Sequence, residues 1–282
     1  MIHGFCVDHH SLMGLDPVFA ARGQWQRIYV DLPGMGKSSA GPAIDSADAV
    51  AKAVAAFARD TFGKNRFAVL GNSFGGMIAR YLAAEFGDQV LGLGLLCPVA
   101  VAEDSQRTVP PKTVLLEDAG LLASLPAVDA ADYAELAVVQ SASNWASFRD
   151  HALPGLRAFD QAAIDRISAN YTLSVEPEDR SPRFTGPTTI LLGRQDHVVG
   201  FVDQIALAEH YLRSTIAVLD QAGHNAHLDQ PELIGTLLTE WLTRVEGSVQ
   251  ANSPSPGTTR SPATSSASRV HSGDASVDWS MT

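Results

Sequence analysis

Residues 67–86, FAVLGNSFGGMIARYLAAEF, constrain the fold more than any other stretch of the chain. The uncharged apolar run FAVLG leads through Asn72-Ser73 directly into an amphipathic helical segment. Gly71 and Gly75 stand two positions either side of Ser73. In so sharp a strand-to-helix turn a β-carbon at 71 or 75 would clash with neighbouring backbone. The pattern Gly-x-Ser-x-Gly at this junction therefore predicts a serine held on a strained bend. The following helix points its N-terminus, with backbone N–H donors and the positive end of its dipole, at that serine. Ser73 is thus a candidate nucleophile, and the bland alternative is a serine that only caps its helix.

The rest of the chain fits a sheet around this junction. RIYVD (27–31), VLGLGLLC (90–97), TTILLG (188–193) and TIAVLD (215–220) join FAVLG as nearly continuous apolar runs, as strands buried on both faces require. Helical patterns separate them. In SADAVAKAVAAFARDTF the residues Val50, Val54, Phe57 and Thr61 share a face, with Ser46 or Asp45 as a cap. In PELIGTLLTEWLTRV the stripe is Ile234, Leu237, Leu238, Trp241 and Val245, with Pro231 in the first turn. This alternation predicts a doubly wound α/β fold with a mostly parallel sheet. Residues 100–185 break it: several helices follow one another with no strong strand, so a helical insertion after the strand ending at Cys97 is expected. From Gly247 onward 20 of the last 36 residues are Ser, Thr, Pro or Gly, and 247–282 is expected to be a disordered tail.

Bulk properties exclude several functions. A net charge of -11 argues against binding nucleic acid or an anionic membrane through electrostatics. Two cysteines, Cys6 and Cys97, imply no disulfide framework, and the apolar run 90–102 is too short to cross a bilayer. With no signal-peptide pattern at the start, a cytoplasmic location is expected, with the protein a monomer or homodimer. DLPGMGKSS (31–39) ends like a phosphate-binding loop, but Asp31 stands where the first glycine is needed and Pro33 removes a backbone donor. No nucleotide site, metal or cofactor is expected. His224-x-x-His227 lacks the spacing of a zinc helix. Asp8, His9 and His10 are read as solvated loop residues, and Cys6 as an inert thiol.

A serine nucleophile needs a general base, and the base needs a carboxylate that fixes its tautomer. RQDHVVG puts Asp196 just past one strand, and QAGHNAHLDQPE puts His224 just past the next. All three groups then lie at the carboxyl ends of parallel strands, where open α/β sheets carry their sites. HGF (3–5), DLPGMGKS (31–38), GNSFGG (71–76), and Asp196 followed by Gly223-His224 occur in that order, and over residues 1–246 the chain resembles the α/β-hydrolase superfamily. The resemblance implies a core of residues 1–99 and 186–246 under a helical cap, 100–185. It favours His224 over His227 as the base and makes the backbone N–H groups of Phe5 and Phe74 the oxyanion donors. It also places the 31–38 turn as a wall near the site.

The expected activity is a serine hydrolase cleaving an ester or related acyl bond of a small, largely apolar molecule through an acyl-enzyme. Trp145 and Phe148, with Phe159 and Tyr171, are candidates for the pocket or equally for the cap's own core. Carbon–carbon bond hydrolases, aminopeptidases using Glu103 or Glu135, and non-enzymatic ligand receptors of the same fold remain alternatives. The serine at the elbow argues against a resemblance to dehalogenases and epoxide hydrolases, which carry aspartate there. Relatives enter the HG segment from a central strand, whereas here His3 follows Met1-Ile2 at once. That strand looks truncated, and residues 1–5 are expected to be weakly anchored because the neighbouring strands would expose unpaired backbone.

Overall fold

The computed structural model describes residues 1–180 and 182–251. Its centre is a parallel sheet of β1 (Phe67–Asn72), β2 (Val90–Leu96), β3 (Thr188–Gly193) and β4 (Ser214–Leu219), in that spatial order. Leu95 stands between Gly71 and Ile190 in the register, and Ile190 between Leu95 and Ile216. All six residues of β3 are buried, as apolar runs covered on both faces should be.

Beyond β1 the sheet continues by single residues. Ile2 bridges both Gly71 and Val30 in the parallel sense. Its N–H donates to Leu70 O at 2.9 Å, and its carbonyl accepts from Asn72 N–H at 3.0 Å. On the other side Val30 N–H donates to Met1 O at 3.1 Å. The expected weak anchoring of residues 1–5 is therefore corrected: Ile2 is 2% exposed, His3 is fully buried, and this short segment fills the central place. The expected strand 27–31 is corrected too. It contracts to the bridge at Val30, because the segment it pairs with is only about one residue long at that point.

Spatially the order is Val30, Ile2, β1, β2, β3, β4. From Ile2 the chain moves outward to Val30 and then returns to β1 on the other side. The strand order reverses between Ile2 and β1, which is where open α/β sheets leave a crevice.

Four helices matter below. α1 (Ala47–Phe62) starts at Ser46, whose Oγ accepts from Ala49 N–H, and it buries Val50 and Val54. Phe57 is half-buried on its flank, and Thr61 is exposed. α2 (Phe74–Phe86) follows the Ser73 turn and packs on β1 and β2. α3 (Ala142–His151) belongs to the insertion between β2 and β3, which also has helices over 119–124, 127–136 and 161–168 and contributes no strand to the sheet.

α4 (Pro231–Ala251) begins at its proline and buries Ile234, Leu238, Trp241 and Val245. A side chain at Gly92 would run into Val245 Cγ2, so the glycine lets this helix lie close over β2. α4 extends past the boundary expected at 246. There Ser248 Oγ donates to Arg244 O and accepts from Arg213. The rest of the tail lies outside the described residues. No helix among the described residues is long and apolar enough to cross a membrane.

Candidate active site

Ser73 sits at φ 54°, ψ −120°, a conformation that a non-glycine residue occupies only when its surroundings impose it. The glycines around it explain how. A Cβ at Gly71 would lie 2.1 Å from Gly75 O, and one at Gly75 would lie 2.3 Å from both Ile2 O and His3 O. These obstacles are backbone atoms and cannot rotate away. Gly75→Ala is expected to destabilise the protein by about 3 kcal/mol through overpacking, read as a drop in the chemical-denaturation midpoint. Gly247→Ala, where a Cβ meets nothing, should be neutral or stabilising in the same assay.

The bend brings Ser73 to two distant loops. Its Oγ–H donates to His224 Nε2 at 2.8 Å, and His224 Nδ1–H donates to Asp196 Oδ2 at 3.0 Å. Asp196 is fully buried, and its other oxygen accepts the N–H groups of Val198 and Val199 at 2.9 and 3.0 Å. Burial pushes this carboxyl up, but the His224 ring and the two N–H donors more than offset it and hold it below the ordinary aspartate value. An acceptor-only carboxylate at Nδ1 fixes the imidazole with its lone pair toward Ser73.

The segment after Ile2 lies against the same serine. A Cβ at Gly4 would be 3.2 Å from Ser73 Cβ, and the rings of Phe5 and Phe74 meet edge to face at 5.2 Å. Among the described residues neither the Phe5 nor the Phe74 backbone N–H donates to an acceptor of the chain. His3 fixes this segment. Its Nδ1–H donates to Gly4 O at 2.7 Å, and its Nε2 accepts from Leu32 N–H at 2.9 Å. Burial lowers its pKa, so it holds the loop as a neutral ring.

The 31–38 turn is explained by what fills it. The Asp31 carboxylate accepts His9 N–H at 2.9 Å, His9 Nδ1–H at 2.8 Å and Lys37 N–H at 3.0 Å. A Cβ at Gly36, φ +57°, would collide with that carboxylate at 2.5 Å. Lys37 of the turn and His9 from outside it thus point their donors at an anion that the turn itself supplies. Its outer side pairs with the insertion: Gly36 N–H donates to Ala158 O and Asp160 N–H to Gly34 O.

Several other candidates are relocated. Asp8 and His9 are buried rather than solvated, which corrects that expectation. Asp8 accepts His10 N–H and pairs with His10 Nδ1, and ligand atoms of Asp8, His9 and His10 come within 4.8 Å of one another. His227 is buried against Ser11 O at 2.9 Å, and burial depresses its pKa to about 4. His197 faces Glu135. Cys6, at φ 60°, has its thiol pushed up to about 11 by burial, which leaves it protonated.

Trp145 and Phe148 pack with Tyr133 and Leu228, and Phe148 is 2% exposed, so the core reading accounts for both rings. Tyr171 instead lies against Phe5 and Phe74, at 5.3 and 5.0 Å between rings. Glu103 is exposed, and Glu135, 62% exposed, pairs with Lys112, so neither is a buried acid awaiting an amine.

Asp229 and Arg80 were missed by sequence reasoning. Nothing in the local pattern distinguishes a carboxylate five residues past a histidine, or an arginine in an apolar helix face, from solvated ones.

Comparison with known proteins agrees with this architecture. A family model described as the alpha/beta hydrolase fold matches residues 1–231. An alpha/beta superfamily hydrolase from Oenococcus oeni PSU-1 is similar in structure, with a TM-score of 0.80 and 31% identity over 87% of this chain and 91% of that one. The esterase EaEST from Exiguobacterium antarcticum shares the fold at a TM-score of 0.62 and 20% identity, over 86% and 90% of the two chains. In sequence, monoacylglycerol lipase ABHD6 of Bos taurus is 22% identical over 257 residues, 87% of this chain and 75% of that protein. With a serine elbow at the switch point of a parallel sheet and a family match over most of its length, this chain belongs to the alpha/beta hydrolase family.

Proposed function

We propose that this alpha/beta hydrolase is a serine esterase acting through an acyl-enzyme. The observation that carries the reading is the chain of two hydrogen bonds from Ser73 through His224 to Asp196. Ser73 Oγ attacks the ester carbonyl carbon as His224 Nε2 takes its proton. Asp196 stabilises the imidazolium that forms. The Phe5 and Phe74 N–H groups receive the oxyanion, each worth roughly 10²–10³ in rate in comparable sites. His224 then protonates the leaving alcohol, and water, activated by the same nitrogen, cleaves the acyl-enzyme.

The half-buried Phe5 and Tyr171 rings, packed on the fully buried Phe74 ring next to the serine, suit an apolar acyl group. The esterase and lipase names among similar proteins point to the same bond class. The insertion 100–185 is read as a cap over this pocket, because its residues 158–160 pair with the 31–38 turn and Tyr171 reaches the Phe5 and Phe74 rings.

A fluorophosphonate probe tests the assignment directly. Wild-type protein is expected to label stoichiometrically and to hydrolyse p-nitrophenyl esters of short and medium acyl chains. Ser73→Ala should lose both. Labelling that survives the substitution, or a well-folded wild type that neither labels nor turns over, would overturn the reading.

A further inference from the structure

Asp229 lies two short steps from the proposed base and spans two parts of the molecule. Its Oδ2 accepts the N–H of Gly223, the residue before His224, at 2.8 Å. Its Oδ1 accepts from Asn144 Nδ2 at 2.9 Å, and Asn144, in the first turn of α3, also donates to Leu228 O at 3.3 Å. We propose that Asp229 is the positioning residue for His224, a latch that sets the histidine loop and the helical insertion in one geometry. The proposal rests on the esterase reading for its kinetic consequence, but the latch itself is a matter of hydrogen bonds and packing.

The surroundings make the latch specific. Gly223 is closely packed: a Cβ there would be 2.8 Å from Val138 of the insertion, and Gly223 O comes within 3.6 Å of Cys97 Sγ behind it. The two oxygens of Asp229 thus accept from donors on opposite sides, one in the histidine loop and one in the insertion. Among the described residues the titratable groups that act on it are Asp196, from the loop after β3, and Tyr133, from helix 127–136. Burial, with the Asp196 charge added, raises the Asp229 pKa to about 6.

The sign of the linkage follows. A carboxyl whose pKa is raised in the closed latch stabilises that latch at low pH and loses the contribution as pH rises through about 6. Opening of the latch should accordingly be about tenfold more frequent at pH 7 than at pH 5, since one pKa unit is a factor of ten.

Asp229→Ala leaves the donors of Gly223 and Asn144 without their carboxylate. In Asp229→Asn the carbonyl can accept from Gly223 and the Asn144 amide, turned over, can accept from the new NH2, so this change is mild. In Asn144→Asp two carboxylates meet. In the reciprocal double variant Asp229→Asn/Asn144→Asp, the amide at position 229 accepts from Gly223 and donates to the carboxylate at position 144. Both latch bonds are restored, and only the long contact to Leu228 O is lost.

Two readouts on the full chain decide the matter. Asp229→Ala and Asn144→Asp are each expected to lower kcat on a p-nitrophenyl ester up to about 10²-fold with KM little changed, the scale of a displaced base, and the double variant Asp229→Asn/Asn144→Asp to recover most of the Asn144→Asp loss. Amide exchange of 222–230 and 141–152, corrected for its intrinsic pH dependence, should quicken in Asp229→Ala and Asn144→Asp and recover in the double variant. Its tenfold change between pH 5 and 7 should vanish in Asp229→Asn. Native exchange and native kcat in Asp229→Ala and Asn144→Asp, or a folded double variant that recovers neither, would overturn the latch. If exchange behaves as described while wild type neither labels nor turns over, the latch stands and the esterase reading fails.

Discussion

Replacing His224 with alanine is expected to lower kcat by about 10⁶-fold while leaving the fold and KM nearly unchanged, because in the proposed mechanism serine and base act as a unit and removing either removes both. Asp196→Asn is expected to cost about 10⁴-fold, and the structure says why. Asp196 Oδ1 is held by the N–H groups of Val198 and Val199, both donors. In the asparagine variant the amide oxygen stays with them, and the NH2 turns toward His224 Nδ1. The ring must then accept at Nδ1 and carry its proton on Nε2, which faces Ser73 Oγ. The geometry survives, but the base presents a proton where a lone pair is needed. Steady-state kinetics and fluorophosphonate labelling rates on the two variants check this. An Asp196→Asn protein within tenfold of wild type would mean that Asp196 is not the group orienting the base.

Much of the architecture was legible in local pattern. The strand–Gly-x-Ser-x-Gly–helix junction is readable because each of its residues answers a local demand: apolar run, missing β-carbons, bend, amphipathic face. Asp196 and His224 are readable as candidates because each lies in the loop past an apolar strand, and such loops gather at the C-terminal edge of a parallel sheet. The short central segment at Ile2 was misjudged. Its anchoring comes from bonds to Leu70, Asn72 and Val30, none of which has a local signature. Strand 27–31 was overestimated for the converse reason: apolar residues set strand propensity, but a ladder extends only as far as its partner. Asp31 looked like a broken phosphate loop and proved to be the anion inside the turn, a role visible only once His9 and Lys37 are seen to point at it. Trp145 and Phe148 could not be divided between pocket and core by composition, since both environments select aromatic rings.

Glu178→Ala is expected to destabilise the protein by about 3–5 kcal/mol, because it strands a buried cation. Arg80, on α2, is 2% exposed. It donates to Glu178 through Nε at 2.8 Å and through an Nη at 2.5 Å, while Tyr211 OH donates to the same carboxylate at 2.5 Å. Burial works against the charge of Arg80 and pushes the Glu178 carboxyl up. The pair's mutual attraction prevails, leaving Arg80 raised and Glu178 lowered from their ordinary values. A depressed carboxyl contributes stability in full above its unfolded pKa and loses it as pH falls through the folded value, so this contribution should be present above about pH 5 and fade below about pH 4. In the Arg80→Leu/Glu178→Leu double variant the buried charges are gone and Glu176, which Arg80 also meets at 3.4 Å, is 42% exposed and can be solvated, so well over half of the loss should return. Urea denaturation of the three proteins measures this, and additive losses in the double variant would contradict it. The pair also reaches the proposed nucleophile. Arg80 donates through its other Nη to Val99 O at 2.7 Å, and Val99 N–H donates to Ser73 O at 3.0 Å. Val99 therefore stands directly between the buried cation and the strained serine. At a temperature where Glu178→Ala is still folded, kcat should already fall, because the backbone contact that helps hold Ser73 in its bend has lost its support.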